Sequence, residues 1–209
     1  AVLTVTATDA DLPAQTITYS ITGGADQAKF TINAGTGELT FQTAPDYENP
    51  TDADTNNIYV VQVTASDGLG RTTSQTINVT VTPVNDNDPV ITSGNTANVS
   101  ENTTSVLTVT ATDADLPAQT VTYSITGGAD QGKFSINATT GDLTFSAAPD
   151  YENPTDADTN NVYVVQVTAS DGAGRTAIQT INVTVTPLND NDPVITSANT
   201  ANVAENTTT

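Results

Sequence analysis

The chain has 209 residues, with 24 acidic and 4 basic side chains and a formal net charge of −20. This charge disfavours nucleic acid and anionic membranes as partners, because neutralising their phosphates needs Lys and Arg. The chain has no Cys, His, Met or Trp, which excludes disulfides, thiol, zinc, haem and iron–sulfur chemistry and His-based catalytic triads. The excess charge indicates either the solvated acidic surface of a halophilic or marine protein, or carboxylates that are neutralised by bound cations.

Apolar residues alternate with Thr and Ser along most of the chain, the period of two that predicts half-buried strands, and no helical period is present. Gly, Asn and Pro lie between the runs. In chain order, the strands predicted between residues 90 and 185 are Val90–Ile91, Leu107–Ala111, Val121–Ile125, Phe134–Ile136, Leu143–Phe145, Tyr163–Ala169 and Ile181–Val185. About seven strands at this spacing predict an all-β fold built from β-sandwiches.

The chain is a tandem repeat. The string NDNDP occurs at Asn85–Pro89 and again at Asn189–Pro193, 104 residues apart, and the whole chain follows the same offset with few and mostly conservative differences. Such a repeat indicates one folded unit used as a building block. Proline in this string ends one unit and sets an extended entry to the next. We therefore expect a unit at 1–88 that lacks its first strand, a complete unit at 89–192, and the first strand of a following unit at 193–209.

Acidic residues recur in short oxygen-rich motifs. Residues 89–192 hold 12 acidic side chains, and seven of them belong to such motifs: Glu101, Asp113, Asp115, Asp150, Glu152, Asp171 and Asp190. Carboxylates at positions i and i+2 point to opposite faces of a regular strand, but they can converge at a strand end or in a loop. Hard cations such as Ca²⁺ take six to eight oxygen ligands. Calcium is therefore the natural counter-charge, although Asp and Asn in such motifs can also serve only as turn and cap residues.

These motifs resemble those of cadherin repeats over the whole chain. The family carries a Glu after its first strand, then DxD, DxE, AxDxG and a linker DxNDN, and the corresponding residues here are Glu101, Asp113–Asp115, Asp150–Glu152, Asp171 and Asn189–Asn191. The pattern FxIxxxTGxL at Phe134–Leu143 is also similar. One departure is that Pro83 and Pro187 occupy the position of the first linker Asp, which we expect to be a structural rather than a liganding position.

The resemblance implies tandem Greek-key sandwiches of Ig-like architecture, with about three Ca²⁺ ions at each junction and ligands from both units. At the junction Asn85–Asp88, the implied ligands are Asp46, Glu48, Asn85, Asp86, Asn87, Asp113, Asp115 and Asp171. Asp9, Asp11 and Asp67 are expected to face a preceding repeat. Glu101, Asp150, Glu152, Asn189, Asp190 and Asn191 are expected to face a following one. The loop Asp156–Asn160 also has the spacing of a calcium loop, but we interpret it as a solvated loop.

The residues 193–209 match 89–105, the opening segment for which 1–88 has no counterpart. Two interpretations stay open: the chain is a window on a longer array, or copies join head to tail by strand donation, which propagates as a filament. In either case we expect Glu205 of a neighbouring copy to supply the counterpart of Glu101 at the junction Asn85–Asp88.

The predicted function is a calcium-rigidified extracellular structural repeat, either the stalk of an adhesin or the subunit of a filament. The near-identical repeats without Cys suggest a bacterial cell surface. The alternative is a calcium-dependent recognition module that binds polysaccharide or like repeats, which the scarcity of aromatic residues disfavours. Carboxylate pairs can hydrolyse glycosides, but a site duplicated at every domain joint suits ion binding better, so we expect no enzyme. The expected partners are neighbouring repeats or other copies of the chain, with no insertion into a membrane.

Overall fold

The computed structural model describes residues 1–205, which fold into strands with two short 3₁₀ helices at Gln27–Lys29 and Gln131–Lys133. Six strands precede the linker: β1 Leu3–Thr4, β2 Thr18–Gly23, β3 Phe30–Ile32, β4 Glu38–Phe41, β5 Ile58–Ser66 and β6 Thr72–Thr80. Nine follow it: β7 Val90–Ile91, β8 Thr96–Ser100, β9 Ser105–Thr108, β10 Ala111–Thr112, β11 Thr122–Gly127, β12 Phe134–Ile136, β13 Asp142–Phe145, β14 Val162–Ser170 and β15 Thr176–Thr186. Within this part of the chain, no helix has the length and hydropathy needed to span a membrane.

The second repeat is a sandwich of two main sheets, and the predicted all-β fold is confirmed. One sheet has the order β11-β14-β15-β8, the other β12-β13-β9, and β7 pairs with β10 beside them. Nine strand segments take the place of the seven predicted, for two reasons. The run from Leu107 to Ala111 is split into β9 and β10, and the entry to the repeat forms β8 in addition to β7.

One apolar core lies between the sheets of the second repeat. It contains an aromatic group in which Phe134 stacks on Phe145 at 4.6 Å between ring centroids, while Tyr163 meets Phe145 edge-on at 5.1 Å. The Tyr163 hydroxyl accepts a hydrogen bond from the Thr155 amide at 3.1 Å, so the buried polar tip of this side chain is satisfied. The turn at Gly141 has φ of 75°, and a Cβ there would lie 2.1 Å from the Val109 carbonyl oxygen, so the residue must be glycine.

The first repeat has the same two-sheet architecture, but one side of its apolar core is less covered. Its sheets have the orders β1-β4-β3 and β2-β5-β6, and its core holds Tyr19, Phe30, Leu39, Tyr59, Val61, Val63 and Ala65. Ile181, Val183 and Val185 of β15 are fully buried, whereas their counterparts Ile77, Val79 and Val81, at the end of β6 and just after it, are only partly buried. The difference arises because β8 pairs in parallel with β15 and adds Val99 to the core.

Residues 193–205 repeat the sequence of the β7–β8 segment but form no strand within this chain. Val194, Ile195 and Val203 are 80%, 87% and 73% exposed. Residues 206–209, which complete the predicted first strand of a following unit, lie outside the described residues. A single chain does not test strand donation to another copy, so that expectation stays a prediction.

We expect Val99→Ala to lower the free energy of unfolding of the second repeat by about 2 kcal/mol, because it removes methyl groups from a filled core. Val99 is 5% exposed. Val203→Ala is the matched control, since Val203 is the same residue of the repeated segment but 73% exposed. Urea unfolding of both variants measures the difference, and an equal loss of stability in both would contradict the packing of β8.

Candidate metal centre at the junction of the repeats

The linker Asn85–Asp88 lies against the second repeat, where the carboxylate of Asp115 binds its central residues. Asp115 Oδ1 accepts hydrogen bonds from the amides of Asp86 and Asn87 at 3.3 and 3.1 Å and from Asn87 Nδ2 at 2.8 Å. Asp115 is 1% exposed, yet its Oδ2 atom has no hydrogen-bond partner. A buried carboxylate oxygen without a partner carries a large desolvation cost. This atom is therefore suited to a ligand of positive charge.

Two further carboxylates converge on the same point. Asp113 follows the short strand β10 and accepts the Asp115 amide at 3.0 Å, so the chain leaves the strand geometry that would separate positions i and i+2. Asp171 lies in the tight loop between β14 and β15, where its Oδ1 accepts the amides of Ala173, Gly174 and Arg175 at 2.8 to 3.0 Å. As in Asp115, the Oδ2 atoms of Asp113 and Asp171 are buried without a partner.

The carboxylates form two groups that share Asp115. In the first group, one oxygen each of Asp113, Asp115 and Asp171 lies within 4.8 Å of the others. In the second group, Glu48 of the first repeat and Asp86 of the linker come equally close to Asp115. Glu48 Oε1 also accepts the Leu116 amide at 3.1 Å, which connects the two repeats directly. Carboxylate oxygens from three chain segments at this separation suit a hard divalent cation.

The remaining residues that the sequence predicts for this junction lie near these groups or at their edge. Asn85 donates to the Ala173 carbonyl at 3.4 Å, and Asn87 contacts Asp115 as described. Asp46 is exposed, and its Oδ1 accepts the amides of Glu48 and Asn49, so it shapes the loop that presents Glu48. Within residues 1–205 it does not belong to an acidic group that meets the 4.8 Å spacing.

Sequence reasoning missed two residues of this junction. Gln119 donates from Nε2 to Asn85 Oδ1 at 3.1 Å, and its own Oε1 is buried without a partner. Arg175 donates from Nε to the Asn85 carbonyl at 2.9 Å and forms an ion pair with Asp88. Neither residue belongs to an acidic motif. The repetition of ASDG–G–R at 65–71 and 169–175 marks Arg175, and the repetition of TDADLPAQ at 8–15 and 112–119 marks Gln119, but neither repeat indicates a partner.

Electrostatics keeps the central carboxylates ionised. Burial opposes the charge of Asp115, but hydrogen bonds from Asn87 and Asp86 and the nearby Arg175 guanidinium outweigh it and lower the pKa. For Asp171, burial again raises the pKa, and the amides of its own loop together with Asn85 lower it by more. Both groups are therefore anions at neutral pH, the form that binds metal ions.

The equivalent residues of the first repeat show what the linker contributes. Asp9 and Asp11 are exposed and Asp67 is half-buried, although the loops have nearly the same sequence and Asp9 Oδ1 accepts the Asp11 amide at 2.9 Å as in the second repeat. No linker segment lies over them in the described chain. The loops thus form by themselves, and the burial of the carboxylates depends on the neighbouring segment.

The other end of the second repeat carries an acidic group of its own. Oxygens of Glu101, Asp150 and Glu152 lie within 4.8 Å of one another. Glu101 is 1% exposed and accepts the amides of Tyr151 and Leu188 at 2.8 and 2.6 Å. Asn189, Asp190 and Asn191 are exposed here, and Asp190 accepts a hydrogen bond from Asn102. Glu205 is exposed and joins none of the acidic groups found in residues 1–205.

The loop Asp156–Asn160 is exposed except for Asp156, whose buried side chain organises the turn. Asp156 is 4% exposed and accepts the amides of Asn160 and Asn161 at 2.8 and 3.3 Å, which stabilises the turn. Asp158 is exposed, and its pKa is raised, first by its side-chain contact with Asp156 and then by burial. The loop contributes no residue to the acidic groups identified in the described chain.

Comparison with known proteins identifies the family. The model of the cadherin domain matches residues 1–82 and 95–186. The chain belongs to the cadherin family. Human protocadherin Fat 1 is 35% identical over 208 residues, which cover 95% of this chain, and mouse protocadherin Fat 4 is 37% identical over 199 residues, which cover 92%. The chain spans only 4% of the length of each of these relatives.

A solved structure supports the same assignment. The crystal structure of mouse cadherin-23 EC22-24 aligns with a TM-score of 0.62 and 28% identity, covering 89% of this chain and 58% of that one. Cadherin repeats bind Ca²⁺ at the junctions between them, and the two acidic groups that share Asp115 lie at the junction of the two repeats. The relatives named here are animal proteins, so the expected bacterial origin finds no support among them.

The pKa shifts predict how the joint responds to acid. Because the folded-state pKa values of Asp115 and Asp171 are lowered from 3.8, their contribution to stability is fully present above about pH 4 and is lost as the pH falls through the lowered values. We expect the amides of Asp86 and Asn87 to stay protected from hydrogen exchange at pH 4.5 and to lose protection in more acidic solution. Loss of protection already at pH 5 to 6 would contradict the assignment.

Proposed function

We propose that this chain is a calcium-rigidified structural segment of an extracellular cadherin-type protein. The observation that carries the proposal is the set of buried, unpartnered Oδ2 atoms of Asp113, Asp115 and Asp171 at the junction of the repeats. Three carboxylates this close repel one another and are costly to bury unless a cation joins them. Ca²⁺ accepts many oxygen ligands in a flexible geometry, which suits a site assembled from loops and a linker.

The proposed ligands at this junction are Asp46, Glu48, Asn85, Asp86, Asn87, Asp113, Asp115 and Asp171. Glu48 and Asp86 support the idea that ions bridge the repeats, because they approach Asp115 from the first repeat and from the linker. Asp9, Asp11 and Asp67 are proposed to serve a preceding junction, and Glu101, Asp150, Glu152, Asn189, Asp190 and Asn191 a following one. About three ions at each junction is the number that family resemblance suggests.

Calcium would act on the shape of the molecule. Without a cation, the carboxylates of the two repeats repel one another across the joint, which favours orientations that separate them. A bound ion with ligands in both repeats exchanges this repulsion for attraction and restricts the angle between the sandwiches. The resulting element is a stiff spacer, as the stalk of an adhesion protein requires. The role is structural, and no catalytic chemistry is proposed.

The proposed partner of each repeat is the next one in line. In the second repeat, β8 pairs with β15 and brings Glu101 beside Asp150 and Glu152. Residues 193–205 carry nearly the same sequence as the β7–β8 segment, so we propose that they begin a following unit. That unit belongs to the same chain in a stalk and to another copy in a filament. In either form, we propose that Glu205 of a neighbouring copy supplies the counterpart of Glu101 at the junction Asn85–Asp88.

Recognition of polysaccharide receives no support from the aromatic side chains. All ten Tyr and Phe residues lie in the described part of the chain, and each of them is buried or partly buried. Stacking on sugars needs an exposed ring face. The structural role is therefore the function that we propose.

We expect Ca²⁺ at about a hundred times its dissociation constant to stabilise the folded chain by about 3 kcal/mol, because the ion binds the folded state only. For a domain of this size, such a change raises the melting temperature by about 10 °C or more. Calorimetric melting in Ca²⁺ and in EDTA measures the shift. Small-angle scattering of the same samples should show that the chain is more extended in Ca²⁺ and that its dimensions vary over a narrower range. An unchanged melting temperature and scattering profile on chelation would rule the proposal out.

Asp115→Asn tests the site itself. We expect this variant to lose at least about tenfold in Ca²⁺ affinity by isothermal titration calorimetry, because it removes the charge that both acidic groups share. Asp11→Asn is the matched control, as it changes the identical loop of the first repeat, where the carboxylate is exposed. Equal losses in both variants would place the dominant site elsewhere.

A further inference from the structure

The linker is attached to one repeat only. Outside the linker itself, every hydrogen bond of Asn85, Asp86, Asn87 and Asp88 in residues 1–205 connects to the loops of the second repeat. Within the described part of the chain, the one hydrogen bond that joins the two sandwiches across the junction runs from the Leu116 amide to Glu48 and does not involve the linker. The linker is thus structurally part of the repeat that follows it.

Arg175 is the cationic member of this attachment. Its Nε donates to the Asn85 carbonyl at 2.9 Å and its NH1 to Asp88 Oδ1 at 2.9 Å, so one guanidinium holds both ends of the linker. This ion pair is the one salt bridge that residues 1–205 contain. A guanidinium stays charged at every physiological pH, and its planar donors hold two acceptors at once. The contact needs no metal ion.

The first repeat offers an internal comparison. Arg71 occupies the same position of the same loop, with its amide bound to Asp67 as that of Arg175 is bound to Asp171. The Arg71 side chain is exposed and forms no ion pair in the described chain, which contains no linker over that loop. The loop of the first repeat therefore folds without contacts from its arginine side chain. The loop does not need this side chain, which is free to bind a linker.

We infer that Arg175 is a calcium-independent clamp that keeps the linker on the second repeat. The Asn85–Asp88 strip, with the Asp86 and Asn87 amides on Asp115, then remains in place when calcium is removed. The bending point of the calcium-free joint lies before the linker, at Pro83 and Val84, where Val84 is 61% exposed. The location of this hinge rests on the proposed function, whereas the clamp itself does not.

Hydrogen exchange of the full chain in EDTA tests the clamp. We expect Arg175→Gln to accelerate exchange of the Asp86 and Asn87 amides by about tenfold or more relative to wild type, because hydrogen bonds to charged groups are the stronger ones. Arg175→Lys should give an intermediate rate, since an ammonium group is a point charge without the two-pronged geometry. Adding Ca²⁺ should restore protection in Arg175→Gln, because the ion binds the linker oxygens and so keeps the linker on the second repeat without the arginine.

Arg71→Gln serves as the matched control and should exchange at the wild-type rate at Asp86 and Asn87. Circular dichroism and the exchange of β14 amides check that each variant is folded. Equal rates in Arg175→Gln and wild type in EDTA would overturn the clamp, as would equal acceleration by Arg71→Gln. If calorimetry detects no calcium binding while Arg175→Gln still accelerates exchange in EDTA, the proposed function fails and the clamp stands.

Discussion

The junction depends on the carboxylate of Asp115. Its Oδ1 atom accepts hydrogen bonds from two backbone amides and one side-chain amide of the linker, and its Oδ2 atom is buried without a hydrogen-bond partner. An oxygen of the same carboxylate lies within 4.8 Å of oxygens of Asp113 and Asp171. The first oxygen fixes where the chain enters the second repeat, and the second leaves a negative charge to be balanced. Position and charge are thus set by a single side chain that is 1% exposed. Hydrogen bonds from the linker and the nearby Arg175 guanidinium favour its ionised form despite the burial and lower its pKa.

The two repeats show which properties belong to a unit and which belong to its neighbours. The loops with Asp9 and Asp113 have the same internal hydrogen bond, and the aromatic groups of both cores have nearly the same ring distances. Burial of the acidic residues differs because it depends on the linker that lies over them, whereas closure of the core differs because β8, a part of the second repeat, has no counterpart in residues 1–88. The hydrophobic core therefore belongs to the repeat itself, whereas the burial of its acidic loops depends on the neighbouring linker.

Much of the fold could be predicted from the sequence, because alternation of apolar residues is direct evidence for a half-buried strand. Val165 and Ile181 lie in the strands that their patterns predict and are fully buried. The strand β8 was missed because Ala97 and Val99 alone give too short a pattern, and its pairing with β15 spans more than 80 residues. The acidic motifs indicated the loops of the candidate site. The roles of Arg175 and Gln119 could not be predicted, since their contacts to Asn85 arise from the packing of distant loops.

The parallel pairing of β8 with β15 has a mechanical consequence. These strands lie near the entry and the exit of the second repeat, and they run side by side from Asn182 opposite Thr96 to Thr186 opposite Ser100. Tension along an array pulls the entry strand backwards and the exit strand forwards, so the two slide against each other along their length. All hydrogen bonds of the pair then bear the load together, whereas a hairpin pulled at its open end loses them one at a time. The same strand that closes the core therefore opposes extension of the repeat under force.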